Sequence, residues 1–379
     1  MTPRGLAASL AFDHLAVTFM GSAVAISFID CDTHYWPIEL LDRIDHPDKG
    51  RVERVDDDTV AFYRGEVLIH RFRRSRWDLD VRKRAMDEDG FDRQILIPDN
   101  RPFLYELDPD LGRAMAVAYN DVTAEALRGQ SRFIGCAWVY LPDMKGAVAE
   151  LDRAVGRLGI RAVKLTGGYE DADLDDPAMW PLYEACEHHD IPILVHPAAR
   201  AFEEQAGHPW LIGAERYGAM RFLASTLGFP FTYMHTITRL ILSGVLDRFP
   251  RLRFAFFEGG AGWVPFLMNQ LDRETEHRSF RSYAQKASLH LRRKPSEYFD
   301  RLYVAAVAHE PYIAQVAAAW PDHRIIIGSD YDHADPVATW PNTIRTLAKQ
   351  PGLTESDRHR ILGVNAARLL GLSMTDSAA

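Results

Sequence analysis

Short apolar runs recur along most of the chain, each ending on polar residues and each separated from the next by a stretch with helical spacing. The first reads VAISFID, Val24 to Asp30, inside a stretch that turns at Pro37. The others are QILIPD (Gln94–Asp99), FIGCAWVYL (Phe133–Leu141), IRAVKLTGG (Ile160–Gly168), IPILVHP (Ile191–Pro197), LRFAFFEGG (Leu252–Gly260), RLYVAAV (Arg301–Val307) and HRIIIGSDYDH (His323–His333). Between them, Leu111–Arg128 and Met144–Leu158 carry apolar residues on one helical face, as do WPLYEACEHHD and RLILSGVLDRFP. The tail TESDRHRILGVNAARLLGL predicts a closing helix with Thr354 as its N-cap. Eight apolar strands alternating with helices predict a TIM (β/α)8 barrel. A doubly wound sheet needs fewer strands, and no G-x-G-x-x-G follows the first one.

The rhythm breaks once, over residues 50–76. There VERV, the turn DDDT, VAFYRG and EVLIHRF predict a small antiparallel hairpin inserted after strand 1. The basic run Arg71–Arg76 reads as a solvated edge. No internal repeat, linker or low-complexity tract appears, so one domain over 20–372 is expected. Residues 1–19 read as an extension ahead of Met20: the apolar stretch Leu6–Phe12 has only Arg4 as a basic flank and no cleavage site. Residues 373–379 are expected to fray.

Composition narrows the class. The chain has 379 residues, 47% hydrophobic and 26% charged, which is ordinary for a globular protein. A net charge of −9 argues against nucleic acid or an anionic membrane as partner. No run of 18 apolar residues occurs, and three scattered cysteines without a CxxC suit a reducing cytoplasm. The partner expected is a small-molecule substrate; association into a homodimer is left open.

The candidate chemistry lies where the strands end. In a parallel barrel those ends converge on one mouth. They deliver Asp32 and His34, Lys164, His196, Glu258, and Asp330 with His333 just beyond. Asp32 and His34 are two residues apart, so an extended backbone turns both to one side. Any one of these groups could cap a helix or form an ion pair. As a set of imidazoles and carboxylates ending apolar strands, they call for a shared partner, because an unpaired buried charge costs several kcal/mol (order of magnitude). A divalent cation satisfies all of them together, and the mixture suits zinc, iron or manganese. Trp36 and Trp263 follow the strand ends and are expected to wall a pocket for an apolar or aromatic substrate. The long segment Ala198–Gly228, with Arg200, His208, Trp210 and Arg216, is a candidate lid, and Arg200 or Arg216 a partner for a substrate carboxylate.

DCDTHYWP, ILVHP, LILSGVLDRFPRLRFAFFEGGAGWVP, IIGSDYDH and the closing NAARLLGL together resemble the amidohydrolase-related metal-dependent TIM barrels. The similarity runs from about Ile29 to Leu372 and is to the branch of aminocarboxymuconate-semialdehyde and resorcylate decarboxylases. It implies metal ligands at Asp32, His34, His196 and Asp330. Two departures stand out. Decarboxylases of this branch usually carry His-x-His or Glu-x-His where this chain has Asp32-Thr33-His34. They also place a catalytic His at the sixth strand end, where this chain has Glu258, an anionic oxygen ligand instead of a proton carrier. His235, on the helix before LSGVLDRFP, is either a satisfied core histidine or a further ligand. With it, the set Asp32, His34, His196, His235, Glu258 and Asp330 would be enough for two ions bridged by a carboxylate. Lys164 could also bridge two ions as a carbamate, as in other amidohydrolases.

Three functions follow as expectations. The first is a hydrolase or lyase with one or two metal ions, acting on a small apolar or aromatic carboxylate, with Glu258, Asp330 and His333 as catalytic groups. The second is a nonheme diiron monooxygenase that hydroxylates an apolar substrate, for which the ligand set resembles the diiron enzyme of platensimycin biosynthesis. The third is a barrel that has kept its fold without catalysis.

Overall fold

The computed structural model describes residues 27–102, 104–166, 168–169, 172–197, 224–277, 279, 282, 291–333 and 340–372, with the backbone of two short strands, Val17–Phe19 and Ser22–Val24. Eight parallel strands make the central sheet: β1 (Ile29–Asp30), β2 (Arg93–Pro98), β3 (Phe133–Ala137), β4 (Ala162–Leu165), β5 (Ile193–Val195), β6 (Phe254–Phe256), β7 (Leu302–Ala306) and β8 (Ile325–Ile327). Their spatial order is their sequence order, β1 to β8. The chain of β1 resumes as His34–Tyr35 on the same edge of β2. Across the remaining gap, Cys31 N donates to Ile327 O and His34 N to Tyr331 O, both at 3.0 Å. Asp30 adds a side-chain seam, accepting from Ser329 N at 2.9 Å and Ser329 Oγ at 2.5 Å. The result is the nearly closed barrel expected from the eight-strand pattern.

Alternation along the strands sorts side chains to two sides of the wall. Ile95, Ile97, Ile134, Cys136, Ala162, Leu194, Ala255, Tyr303, Ala305 and Ile326 fill the barrel interior. Leu96, Val163, Leu165, Ile193, Val195, Phe254, Ile325 and Ile327 face the outer helices. Those helices are held by ordinary devices. The helix α1 (Leu79–Asp89) starts on Asp78, whose carboxylate accepts from Asp80 N and Val81 N. The helix α2 (Pro109–Ala126) has Asp108 as its cap and Pro at its first turn, and buries Leu111, Met115, Tyr119 and Val122, a spacing of four, four and three. Near the end of the chain Thr354 caps Glu355–His359 through a reciprocal pair with Asp357, as its sequence position predicts.

The insertion has three strands, not two: Arg51–Arg54, Thr59–Arg64 and Val67–Arg73, antiparallel in order. Its apolar face lies on the barrel. Trp36 stacks on Phe72 at 4.2 Å between ring centroids and packs against Phe62 at 5.3 Å. The start of the chain also differs from expectation. Ser22–Val24 pairs antiparallel with Val17–Phe19 in a separate ribbon, so β1 begins only at Ile29. The three cysteines are buried free thiols. No helix among the described residues is long and apolar enough to cross a membrane.

Candidate metal centre

Two breaks in the strand alternation build the mouth. Cys31 faces the interior, and Thr33 faces out, where it accepts from Arg82 Nη2 at 2.9 Å and donates to Ile95 O at 2.5 Å. Asp32 between them joins the mouth instead of alternating outward, which is why β1 is interrupted there. The second break is at Glu258. Phe257 faces the interior, so regular alternation would turn Glu258 away; its left-handed backbone, φ 59°, turns it back. Asp330 has the same conformation, φ 56°. Such a backbone costs a non-glycine residue about 1–3 kcal/mol, so the surrounding fold holds both carboxylates against strain. Gly328 supplies the room: a Cβ there would overlap Asp32 Cβ.

Around this mouth the donor atoms converge. Asp32, His34 and His196 form one group, and His34, Glu258, Asp330 and His333 a second; in each the ligand atoms lie within 4.8 Å of one another. His196 Nε2 is 3.0 Å from Glu258 Oε1 and 3.7 Å from Asp32 Oδ1. His34 Nε2 is 3.4 Å from Asp330 Oδ1 and 3.7 Å from Glu258 Oε1. His333 Nδ1 lies 2.5 Å from Asp330 Oδ1, and its ring stands edge-on to His34 at 4.9 Å. These approaches leave Asp32 Oδ1, both nitrogens of His34 and His196 Nε2 buried without an aligned hydrogen bond. Buried polar atoms are nearly always paired, so three residues that each turn an orphaned atom into one group, Asp32, His34 and His196, fit a cation. The groups that hold His196 agree. Pro197 O lies 3.0 Å from His196 Nδ1, which fixes the proton there and leaves the Nε2 lone pair for a metal. Asn100 Nδ2 donates to the same Pro197 O at 2.9 Å, and Lys164 Nζ donates to Asn100 Oδ1 and to Pro98 O.

The electrostatics follow from crowding acids in a dry site. Burial, then the Asp330 and Glu258 carboxylates, push the Asp32 carboxyl well up. Burial drives His34 well below the usual imidazole range, so the ring stays neutral with one nitrogen free to ligate. Burial opposes the charge of Glu258, yet His196, and more weakly His333 and Lys164, hold it below the ordinary glutamate value. Asp330 is likewise lowered against burial, by His333 and His34. Burial brings Lys164 down to about 8.

The remaining expected residues fall elsewhere. His235 lies on the helix α3 (Phe229–Leu242), outside both donor groups, with Asp173, Asp175 and Arg239 as the charges acting on it. The two-ion set that counted on it is therefore not assembled. Trp36 is fully buried beneath the inserted sheet, with its Nε1 donating to Arg101 O at 2.9 Å, so it supports the mouth without lining it. Trp263 directly precedes the helix α4 (Val264–Glu276) and donates to Gly259 O at 2.9 Å. Arg200, His208, Trp210 and Arg216 lie outside the described residues. The basic run is not all solvated edge: Arg76 is buried between Asp99 at 3.0 Å and Asp332 at 2.5 Å. Sequence reading also passed over Arg82, buried on α1, which donates to His34 O at 2.7 and 2.9 Å and to Gln94 Oε1 at 3.0 Å. No feature of the sequence around it singled it out.

A family model described as amidohydrolase matches residues 29–372. The chain belongs to the amidohydrolase family. It is an enzyme of that family by the same match and by its relatives. It is 28% identical over 315 residues to gamma-resorcylate decarboxylase of Polaromonas sp. (strain JS666), covering 78% of this chain and 87% of that protein. It is 25% identical over 301 residues to 2-amino-3-carboxymuconate-6-semialdehyde decarboxylase of Dictyostelium discoideum, covering 78% and 77%. The fold matches that of 5-carboxyvanillate decarboxylase from Novosphingobium aromaticivorans with a TM-score of 0.70 at 21% identity, over 92% of this chain and 96% of that one. That structure contains manganese and 4-hydroxy-3-methoxy-5-nitrobenzoic acid. All three relatives are named decarboxylases, and the diiron monooxygenase expectation finds no support among them.

Proposed function

We propose that this amidohydrolase is a divalent-metal-dependent decarboxylase of a small aromatic carboxylate. The observation that carries the reading is the convergence of the orphaned atoms of Asp32, His34 and His196 with Asp330 and Glu258 at the barrel mouth. Its relatives named as decarboxylases, one of them structurally characterised with manganese and a nitrobenzoic acid, support the reaction class. Asp32, His34, His196 and Asp330 would hold one ion, with Glu258 as a further oxygen donor. Both donor groups use His34, and one imidazole nitrogen serves one ion, which favours a single site. A divalent ion there would supply a Lewis acid that orients and polarises the substrate's oxygen atoms.

The chain's own residues do the rest. Glu258, kept ionised by His196, His333 and Lys164, is poorly suited to carry a proton. That task falls to His333. Its Nδ1 is held by Asp330, which raises the imidazole's proton affinity despite burial, and its side chain is one-third exposed. When the bond between the ring carbon and the carboxylate breaks, its electron pair stays on the ring carbon and carbon dioxide leaves. The ring carbon takes a proton from His333, which solvent then restores.

The test is carbon dioxide release from hydroxybenzoates by manganese-loaded protein. Chelation should abolish it, and His333→Ala should lower kcat by about 10²–10⁴-fold while manganese stays bound. Turnover that is indifferent to chelation would overturn the reading.

A further inference from the structure

The left-handed backbone that brings Glu258 to the mouth lies between two anchored points. On the strand side, Phe257 N donates to Val195 O at 3.2 Å, and Phe257 O accepts from Tyr233 Oη at 2.6 Å. Tyr233 is fully buried on α3, and its ring lies so close to Gly259 that a Cβ there would overlap it. Beyond Glu258 the chain turns through a second left-handed residue, Gly260 with φ 64°, towards the start of α4. Trp263 Nε1 donates to Gly259 O, but that bond lies inside the loop and moves with it.

Glu310 ties the far side of this loop to the barrel wall. It stands in the turn that follows β7, where its N–H donates to Val307 O at 3.0 Å. Its carboxylate reaches across to the loop after β6. Oε1 accepts from Ala261 N at 2.9 Å and from Gly262 N at 2.8 Å, and Oε2 lies 3.1 Å from Ala261 N. The glycines on either side of Ala261 let the carboxylate approach, since a Cβ on either would stand 3.4 Å from Oε1. Gln350 braces the same turn, donating to Ala308 O at 2.9 Å. Burial raises the Glu310 carboxyl, and those two amides are the groups that lower it, with no cation contributing among the described residues.

Burying a carboxylate against amides alone is unfavourable unless the bonds it makes are strong and well aimed. Here they fall three and four residues after Glu258. A left-handed non-glycine residue persists only where its surroundings over-determine it. Released at its far end, the loop would let Glu258 relax to extended backbone, and strand alternation would then turn its side chain away from the mouth.

We propose that Glu310 is a positioning residue for the metal centre: by gripping the Ala261 and Gly262 amides it holds Glu258 in the conformation that aims its carboxylate at His196. This rests on Glu258 being a donor to the bound ion.

The experiment is manganese affinity, read with a competitor chelator, for wild type, Glu310→Ala, Glu258→Ala and the double variant. Glu310→Ala should weaken binding by about tenfold. In the Glu258→Ala background the same change should have no further effect, because the residue it positions is gone. Glu310→Gln should recover most of the affinity, since one amide oxygen takes both N–H donors as Oε1 does. Thermal melts check folding, and Glu310→Asp, one methylene too short to reach both amides, replaces Glu310→Ala if that variant does not fold. Unchanged affinity in the Glu310 variants beside a weakened Glu258→Ala would overturn this assignment alone. Equal weakening with and without Glu258 would also overturn it, leaving Glu310 a general support of the loop. Unchanged affinity in Glu258→Ala removes the donor role of Glu258 and this assignment with it. Metal binding needs no turnover, so absence of carbon dioxide release removes only the decarboxylase reading.

Discussion

His196 Nε2 stands 3.0 Å from Glu258 Oε1, an imidazole at the end of β5 facing a carboxylate at the end of β6. Glu258 reaches that position only through a left-handed backbone. An acid held at a strained backbone position beside an orphaned imidazole nitrogen is placed as a donor to whatever the imidazole binds. Glu258→Ala should therefore weaken manganese binding by about tenfold or more while leaving the fold intact. Titration with a fluorescent competitor chelator reads this, and an unchanged affinity would remove Glu258 from the donor set.

Asp32 makes metal binding pH-dependent. Burial and its neighbours Asp330 and Glu258 raise its pKa in the metal-free protein, so manganese must displace a proton from it. Affinity is then expected to rise with pH through the raised Asp32 range, because protons compete below it. The sign for stability runs the other way. A carboxyl raised in the folded state stabilises the metal-free fold at low pH, and that contribution is lost as pH climbs through the folded value. Manganese should cancel the loss. Calorimetry in buffers of different ionisation enthalpy measures the released proton, which Asp32→Asn should not show.

Arg82 holds the β1 end in place by donating to His34 O, Thr33 Oγ1 and Gln94 Oε1 from a fully buried position. Arg82→Met strands those acceptors and should cost about 3–5 kcal/mol of stability, together with a large loss of manganese affinity. Urea denaturation of the metal-free protein checks the first part. A stability loss under about 1 kcal/mol would show that the seam does not depend on this residue.

Gly328 tests the close packing at β8. A methyl group there meets the Asp32 side chain. Gly328→Ala is expected to displace Asp32 and reduce manganese affinity more than it reduces stability. Thermal melts with and without manganese separate the two, since the variant should lose most of its metal-dependent shift.

The barrel was legible because apolar strands and amphipathic helices carry local periods, and closing eight strands brings their ends together whatever the loops do. Asp32, His34, His196 and Asp330 could be read for that reason. The rest depended on partners distant in sequence. Arg76 looks solvated in its basic run and is buried only because Asp99 and Asp332 flank it. Trp36 follows the ligand-bearing segment, yet the apolar face of the inserted sheet, Phe62 and Phe72, covers it. His235 sits on a helix whose rotation about its axis decides what it faces; the structure sets it among Asp173, Asp175 and Arg239. The turn that re-aims Glu258 is a single backbone angle at a residue with no glycine to announce it.

The most direct test of the account is the metal content of protein loaded with manganese and desalted, wild type beside a His196→Ala, Asp330→Ala double variant. About one manganese per wild-type chain and almost none in a folded double variant is the result predicted. Wild-type protein that retains no manganese, zinc or iron, or a double variant that keeps its full load, would contradict a metal centre at the barrel mouth.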